Sequence, residues 1–325
     1  MKSQRGAAIL TAMLTVVLVA SLASATLWQQ WRGVEVEAAE RSRMQSAWIL
    51  SGALDWARLI LREDGRKGGA DHLAEPWAVP LEQARLSSFL AADRSDTQAA
   101  DAAQEAFLSG QITDLQSRLN VTNLVQSGSI DAASERAFTR LFEMLDLPET
   151  ELVLLLDKLR LAQGAPAGAA VAAAPLDATD AASITLWPQT IDQLAWFGVS
   201  ARSIAVLRPF ITILPARTPV NLNTAAAEVI YACVEGFDLA DAHRLVRERN
   251  LTHLATLSDA SKISGKTSAQ FNAALHSVSS RFFEVRGDLR IDQATVQEVS
   301  VVQRDGLEVK TLSRQRVASS SPTLQ

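Results

Sequence analysis

The first 62 residues carry two different patterns of apolar and polar positions. Residues 7–28 hold no charged side chain, about the length a helix needs to cross a hydrocarbon core, and predict a membrane helix. From 29 to 62 there is no proline, glycine stands only at Gly33 and Gly52, and residues of an apolar face recur at helical spacing through Met44, Ala47, Trp48, Ser51, Leu54, Ala57, Leu59 and Leu61. The expectation is one helix of roughly 80 Å, apolar on every side in its first half and amphipathic in its second. The first half calls for lipid or other such helices, the second for a domain on one face. Lys2 and Arg5 precede the apolar run with no acid beside them, which keeps the N-terminus in the cytoplasm and sends the remainder across the membrane. Trp28 and Trp31 then stand where the outer interface should lie.

Beyond this helix the period changes several times. Residues 62–69 read as a polar turn, and Ile112 marks an edge strand. Residues 132–145 and 150–161 have helical patterns, with Pro148 opening the second. The alanine-rich run 162–183, with Pro166 and Pro175, reads as a mobile loop. Short helices follow at 190–197 and 200–207. Asn221 and Asn223 bracket a turn, and Thr224 is placed to cap a helix starting at Ala225. Strict alternation then appears over 281–291, with Phe283, Val285, Leu289 and Ile291 on one face and Glu284, Arg286, Asp288 and Arg290 on the other. Residues 294–303 and 307–312 make two more strands around an Asp305-Gly306 turn. Such a meander needs a cover, and the amphipathic half of the long helix is available. Residues 313–325 have no pattern and are expected to fray. NVTNL at 120–124 and NLNTA at 221–225 echo each other, either as a degenerate repeat of one small helical unit or by chance.

A short basic leader ending in Gly6, an apolar helix directly after it and an amphipathic continuation resemble the type IV prepilins and type II secretion pseudopilins. That resemblance implies cleavage between Gly6 and Ala7 by the prepilin peptidase and methylation of the new amine. The fifth mature position, normally glutamate, is Thr11. The K-type minor pseudopilin of type II secretion is the family known for lacking that glutamate. A lone carboxylate in lipid is costly unless paired, and pseudopilins pair it with the terminal amine of the subunit ahead, so a subunit with none ahead has no need of it. The segments DHLAEPWA (71–78), GQITDLQSRLNVTNL (110–124) and above all RPFITILPARTPVNLNTAAAEVI (208–230) are similar to the same K family. Trp77 would there fill the gap between helix and sheet, and Pro215, Asn221, Asn223 and Thr224 would be structural.

What the resemblance implies is an α+β fold. A pilin-like long N-terminal transmembrane helix packs on a small antiparallel sheet, and a large all-α domain is inserted. The segments would be a leader (1–6), transmembrane helix (7–28), the rest of the pilin-like helix with a first strand region (29–112), the helical insertion (113–276), C-terminal strands (277–313) and a disordered tail (314–325). The function implied is that of a minor pseudopilin at the tip of the pseudopilus. It would start assembly with I- and J-type minor pseudopilins and support export of folded proteins. Other pseudopilins, the inner-membrane assembly platform and the prepilin peptidase are the further partners. The location would be the bacterial inner membrane, single-pass, with the globular part in the periplasm. Some members bind calcium, but the run 156–160 offers a single acid, too few oxygens for a hard cation, and no cofactor is assigned.

Composition narrows the alternatives. In 325 residues, 48% of them hydrophobic, there is material for more than one domain. The net charge is −5, and loss of Lys2 and Arg5 would deepen it, which speaks against nucleic acid as a partner. Cys233 is the single cysteine, so an exported chain has no internal disulfide. There is no GxSxG, HExxH, phosphate loop or CxxC, and His72, His243, His253 and His276 lack ligand spacing, so the chain reads as a structural subunit rather than an enzyme. Asp71, His72 and Glu75 read as a solvated loop and no metal site is assigned. Three other readings stay open. Ala23, Ser24 and Ala25 could end a cleaved secretory signal, and the apolar run could be a plain signal anchor. Residues 221–230 and 242–249 also resemble DNA-binding helix-hairpin-helix modules. Their turn, however, reads Val234, Glu235, Gly236, Phe237, Asp238, one glycine between two acids, which repels phosphate.

Overall fold

The computed structural model describes residues 5–85, 106–164, 186–266, 269–291 and 294–320. The chain divides into two compact units, residues 1–53 and 54–325. Helix α1 (Arg5–Lys67) supplies the described part of the first unit and the opening of the second. Among the described residues it is the one helix long and apolar enough to cross a membrane. Ile9, Leu14, Val17, Leu18, Leu22 and Leu27 are all exposed, as are Trp28 and Trp31. The hydroxyls of Thr15, Ser21, Ser24 and Thr26 donate to carbonyls one turn back (2.8–2.9 Å), so these polar groups are satisfied within the helix. Charge returns only after Trp31, where Glu37 pairs with Arg41 and Glu40 with Arg43.

α1 does not turn at Arg62 as the polar run suggested. It continues to Lys67 and stops at Gly68 and Gly69, whose φ of 65° and 114° favour glycine. Gly65 inside this last turn is required by space. A Cβ there would lie 2.7 Å from the Gly306 carbonyl oxygen, in the turn between the last two strands.

The second unit holds a five-stranded antiparallel sheet. Its strands are β1 (Leu81–Arg85), β2 (Ala106–Asp114), β9 (Phe282–Ile291), β10 (Ala294–Asp305) and β11 (Glu308–Ser320), paired in the order β1-β2-β9-β10-β11. Ile112 therefore sits in an inner strand, and the edge on that side is β1, which its mixed pattern concealed. Register places Ile112 opposite Val285, and Val285 opposite Ser300. Leu54, Ala57 and Leu61 of α1 pack with Trp77, Ile112, Phe283, Val285, Val302 and Val309. Arg58 fastens the same stretch by donating Nε and Nη2 to the Val309 carbonyl (3.0 and 2.7 Å). β11 runs to Ser320, so residues 313–320 pair with β10 instead of fraying. Glu298 explains why: buried on β10, it accepts from Arg314 (2.5 Å) and Arg316 (2.7 Å) across the ladder.

Between the neighbouring strands β2 and β9 the chain leaves the sheet and builds a helical domain with its own core. Its first half runs from β3 (Leu119–Asn120) through β4 (Val125–Gln126), β5 (Ser129–Ile130), α2 (Ala132–Met144), α3 (Glu149–Gly164), a 3₁₀ helix (Ile191–Phe197) and α4 (Ala201–Leu207) to β6 (Ile211–Thr212), parallel to β3. The second half runs from β7 (Val220–Asn221) through α5 (Ala227–Cys233), α6 (Leu239–Leu251) and α7 (Leu257–Ser264) to β8 (His276–Ser277), parallel to β7. Each half opens on an asparagine that receives the amide two residues on, Asn120 from Thr122 (3.1 Å) and Asn221 from Asn223 (3.0 Å). A second asparagine then grips a distant peptide through both its N–H and C=O, Asn123 at Thr218 and Asn223 at Leu254. The echo of NVTNL and NLNTA is thus a repeated structural role. α3 extends to Gly164, and most of the expected loop at 162–183 lies outside the described residues.

The buried junction, a candidate functional site

Asp114 closes β2 and is buried with no cationic partner among the described residues. Its Oδ1 accepts the Gln116 amide (2.7 Å), and its Oδ2 accepts Thr224 Oγ1 (2.5 Å), Ser280 Oγ (2.6 Å) and Asn221 Nδ2 (3.0 Å). Burial pushes this carboxyl up to about 6, and those four donors pull it back toward the ionised form. Asn221 is also wholly buried. Its amide reaches the Asp71 carbonyl (3.1 Å) and Ser280 Oγ (3.0 Å) besides Asp114. One side chain from the middle of the insertion therefore touches the loop after α1, the end of β2 and the approach to β9.

A second layer lies next to it. Asp71 accepts the Ser280 amide (2.6 Å) and a guanidinium N–H of Arg304 on β10, which also bonds Asp64 on α1 and the Ser280 carbonyl (2.9 Å). Glu75 accepts the His72 amide (3.0 Å) and Trp77 Nε1 (2.7 Å), and burial pushes it up to about 7. Gln116 spans the two crossing points of the insertion, donating to the Pro219 carbonyl (3.1 Å) and accepting the Arg281 amide (2.7 Å). The His72 and His253 rings stack at 4.0 Å and 13°. A cleft of about 230 Å³ opens beside this layer, lined among others by Gly69, Asp71, Glu75 and Arg304.

Several sequence expectations change here. Asp71, His72 and Glu75 are not a solvated loop: Asp71 is buried and Glu75 half-buried in the network. Thr224 caps no helix. The Ala225 amide bonds the Asn221 carbonyl (3.0 Å), α5 starts only at Ala227, and the Thr224 hydroxyl is drawn to Asp114. Pro215 is exposed in a bend between Leu214, whose carbonyl accepts from Thr122, and Ala216, whose carbonyl accepts from Asn120. Trp77 is 1% exposed and meets Phe283 edge-on at 5.2 Å, between α1 and the sheet. Gly6, Ala7 and Thr11 lie in α1. Asp64, Asp114, Ser280 and Arg304 escaped notice, although Arg304 falls on the alternation face of Val296, Ser300 and Val302, where a cation needs a buried partner.

Carboxyl oxygens of Asp64, Asp71 and Glu75 come within 4.8 Å of one another. They do not fit calcium as they stand. Arg304 occupies Asp64 and Asp71, Ser280 takes the other Asp71 oxygen, and two N–H groups take Glu75. The run at 156–160 lies in α3 and brings only Asp157. The network ties the inserted domain to the sheet and to the loop after α1.

Long apolar helix, small antiparallel sheet and a two-part helical domain inserted between adjacent strands define a pilin-like membrane subunit of unusual bulk. Family models for the type II secretion system (T2SS) protein K match residues 117–216 and 220–279, which coincide with the two halves of the insertion. The type II secretion system protein K of Pseudomonas aeruginosa is 25% identical over 332 residues, covering 96% of this chain and 93% of the relative. The crystal structure of the GspK-GspI-GspJ complex from the enterotoxigenic Escherichia coli type 2 secretion system contains a chain with a TM-score of 0.59. That match has 16% identity and covers 86% of this chain and 99% of the other. This chain belongs to the type II secretion system protein K family, the minor pseudopilins. The helix-hairpin-helix reading finds no support. At its turn Glu235 bonds Arg136, Asp238 caps α6, and the whole region falls within the K family.

Proposed function

We propose that this subunit occupies the tip of the pseudopilus, starts its assembly together with I- and J-type minor pseudopilins, and so supports export of folded proteins. The observation that carries the reading is the insertion between β2 and β9. It is larger than many whole domains and is pinned by Asn221 and Asp114, so it neither folds away nor tolerates close neighbours on all sides. The GspK-GspI-GspJ complex of the structural neighbour supports the choice of partners. Thr11 supports the end position, because a subunit with none ahead has no amine to pair with a glutamate. Before assembly the prepilin peptidase cuts between Gly6 and Ala7 and methylates the new amine. α1 then stays in the inner membrane with its N-terminus cytoplasmic and the rest of the chain periplasmic.

Gold labelling of an epitope in the helical domain on overproduced fibres tests the position. Label at one fibre end, with a ternary complex recoverable with I- and J-type subunits, is expected; label spaced along the shaft overturns the reading. Intact mass after coexpression with the peptidase tests processing. An N-methylated chain starting at Ala7 is expected from the wild type and an uncut chain from Gly6→Val. A product starting near Thr26 would point to a cleaved signal instead.

A further inference from the structure

Where the inserted domain meets the sheet, a cleft of about 160 Å³ opens on the face turned away from α1. Val301 and Glu284, opposite each other in the ladder, reach that face because they alternate with Val302, Phe283 and Val285, which pack under the helix. The floor is apolar. Leu115 and Val301 belong to a small cluster with Leu214 and Phe282, while Ile191 and Ile213 come from the margin of the domain core. Arg118 and Glu284 stand on the same lining, both half-buried. They do not pair with each other, and neither side chain has a hydrogen bond or ion pair among the described residues. Arg58 and Arg140, also half-buried, bond backbone carbonyls, and Arg304 holds two aspartates. The fold therefore uses its other sheltered guanidiniums and leaves this one idle.

Size and charge together say what the cleft takes. Small-molecule sites run to about 300–1,000 Å³, well above this volume. An apolar floor with a charged rim, of a size for one side chain, is the form of an anchor pocket in a protein interface. Ser313 and Gln315 on the edge strand β11 are exposed, so the cleft is open to solvent along that side. A carboxylate facing Arg118 and a base facing Glu284 would each meet an unused partner, and a segment with the signs reversed would be repelled at both. We propose that this cleft anchors a partner protein, which seats one apolar side chain on the floor between an acid held by Arg118 and a base held by Glu284. This goes beyond the tip reading and does not depend on it.

Photoreactive benzoylphenylalanine in place of Ser313, on the rim, tests this in the full chain, in membranes of cells carrying the complete secretion system. Irradiation should link the chain to a different protein, and mass spectrometry should place the link in a segment with an apolar residue between an acid and a base. Arg118→Glu and Glu284→Lys should each weaken the adduct at least ~10-fold. Reversing the partner's acid to lysine should restore it in Arg118→Glu. The swap of Arg118→Glu with Glu284→Arg keeps the cleft's net charge and should stay as weak as either single change. An adduct equally strong in the reversed variants, recovery in the swap, a link to a second copy of this chain, or no adduct overturns the proposal. Thermal unfolding of the purified variants should stay within ~2 °C of the wild type, because neither charge has a partner in the fold. A loss of several degrees would make the charges structural and overturns it as well.

Discussion

Replacing Asp114 by alanine removes four hydrogen bonds from the centre of the junction, but the four donors fare differently. Asn221 keeps the Asp71 carbonyl and Ser280 Oγ, and Thr224 keeps a weaker acceptor in the Asn221 carbonyl at 3.4 Å. The Gln116 amide and the proton of the Ser280 hydroxyl are left without an acceptor, each orphan costing about 1–3 kcal/mol. Part of that returns, because a carboxyl held up at about 6 no longer has to be ionised in the interior at neutral pH. The expected net loss is ~2 kcal/mol for Asp114→Ala and about half that for Asp114→Asn, where the carbonyl can still face Gln116 and both hydroxyls can turn to accept. Guanidinium denaturation of the full chain in micelles measures the stability, and hydrogen exchange reads the Gln116 amide directly. That amide should exchange at least ~10-fold faster in the alanine variant. An alanine variant within ~0.5 kcal/mol of wild type, or asparagine worse than alanine, would refute the account.

Glu75 is raised to about 7, so its ionised form is disfavoured by folding. The stability it leaves in place below its unfolded value of 4.5 is lost as pH climbs to about 7. Glu75→Gln keeps an acceptor for His72 and Trp77, and denaturation at pH 5 and pH 8 should show a flatter dependence with a gain of ~1 kcal/mol at pH 8 after solvent screening. Trp77→Ala empties the space between α1 and Phe283 and should cost ~3–5 kcal/mol by thermal unfolding, with Trp77→Phe recovering most of it. Glu298→Ala unlinks β11, but Arg314 and Arg316 are about a third exposed and can rehydrate, so the loss should stay near ~1–2 kcal/mol. Faster amide exchange confined to residues 311–316 would mark it.

What could be read from the sequence follows from the range of the interactions involved. α1, the alternating strand β9 and the helices α2 and α3 announce themselves because their apolar period is local. The end of α1 was missed because Gly65 reads as a breaker until Gly306 is seen against it, a contact across 241 positions of sequence. β1 and the far half of β11 were missed for a related reason. LEQAR and SRQRVASS carry no apolar stripe, and only the partner strand, with Glu298 facing Arg314 and Arg316, makes them strands. Thr224 shows how a tertiary partner overrides a local rule. Its position suits a cap, yet the helix starts only at Ala227, and the hydroxyl donates to the buried Asp114 carboxyl instead of accepting from a helix amide. The junction as a whole joins residues 64, 71, 114, 221, 280 and 304, and no local pattern connects them.

An insertion whose two ends leave neighbouring strands has a mechanical problem that this junction solves. Asp114 pairs with Phe283 in the ladder, so the chain departs and returns side by side, and two adjacent links define a hinge. Gln116 stiffens the hinge by bonding Arg281 across it and the Pro219 carbonyl at the boundary between the two halves of the domain. Asn221, from the same boundary, adds a further point off the axis by reaching Asp71 as well as the strand ends. From Asp71 the path continues through Arg304 to Asp64 in the last turns of α1. This polar path therefore links the helical domain to the last turns of the long helix. Asn221, Asp71 and Arg304 on that path are buried and Asp64 is half-buried, and each is paired, so a single substitution there is expected to loosen the domain from the helix end before it unfolds either half.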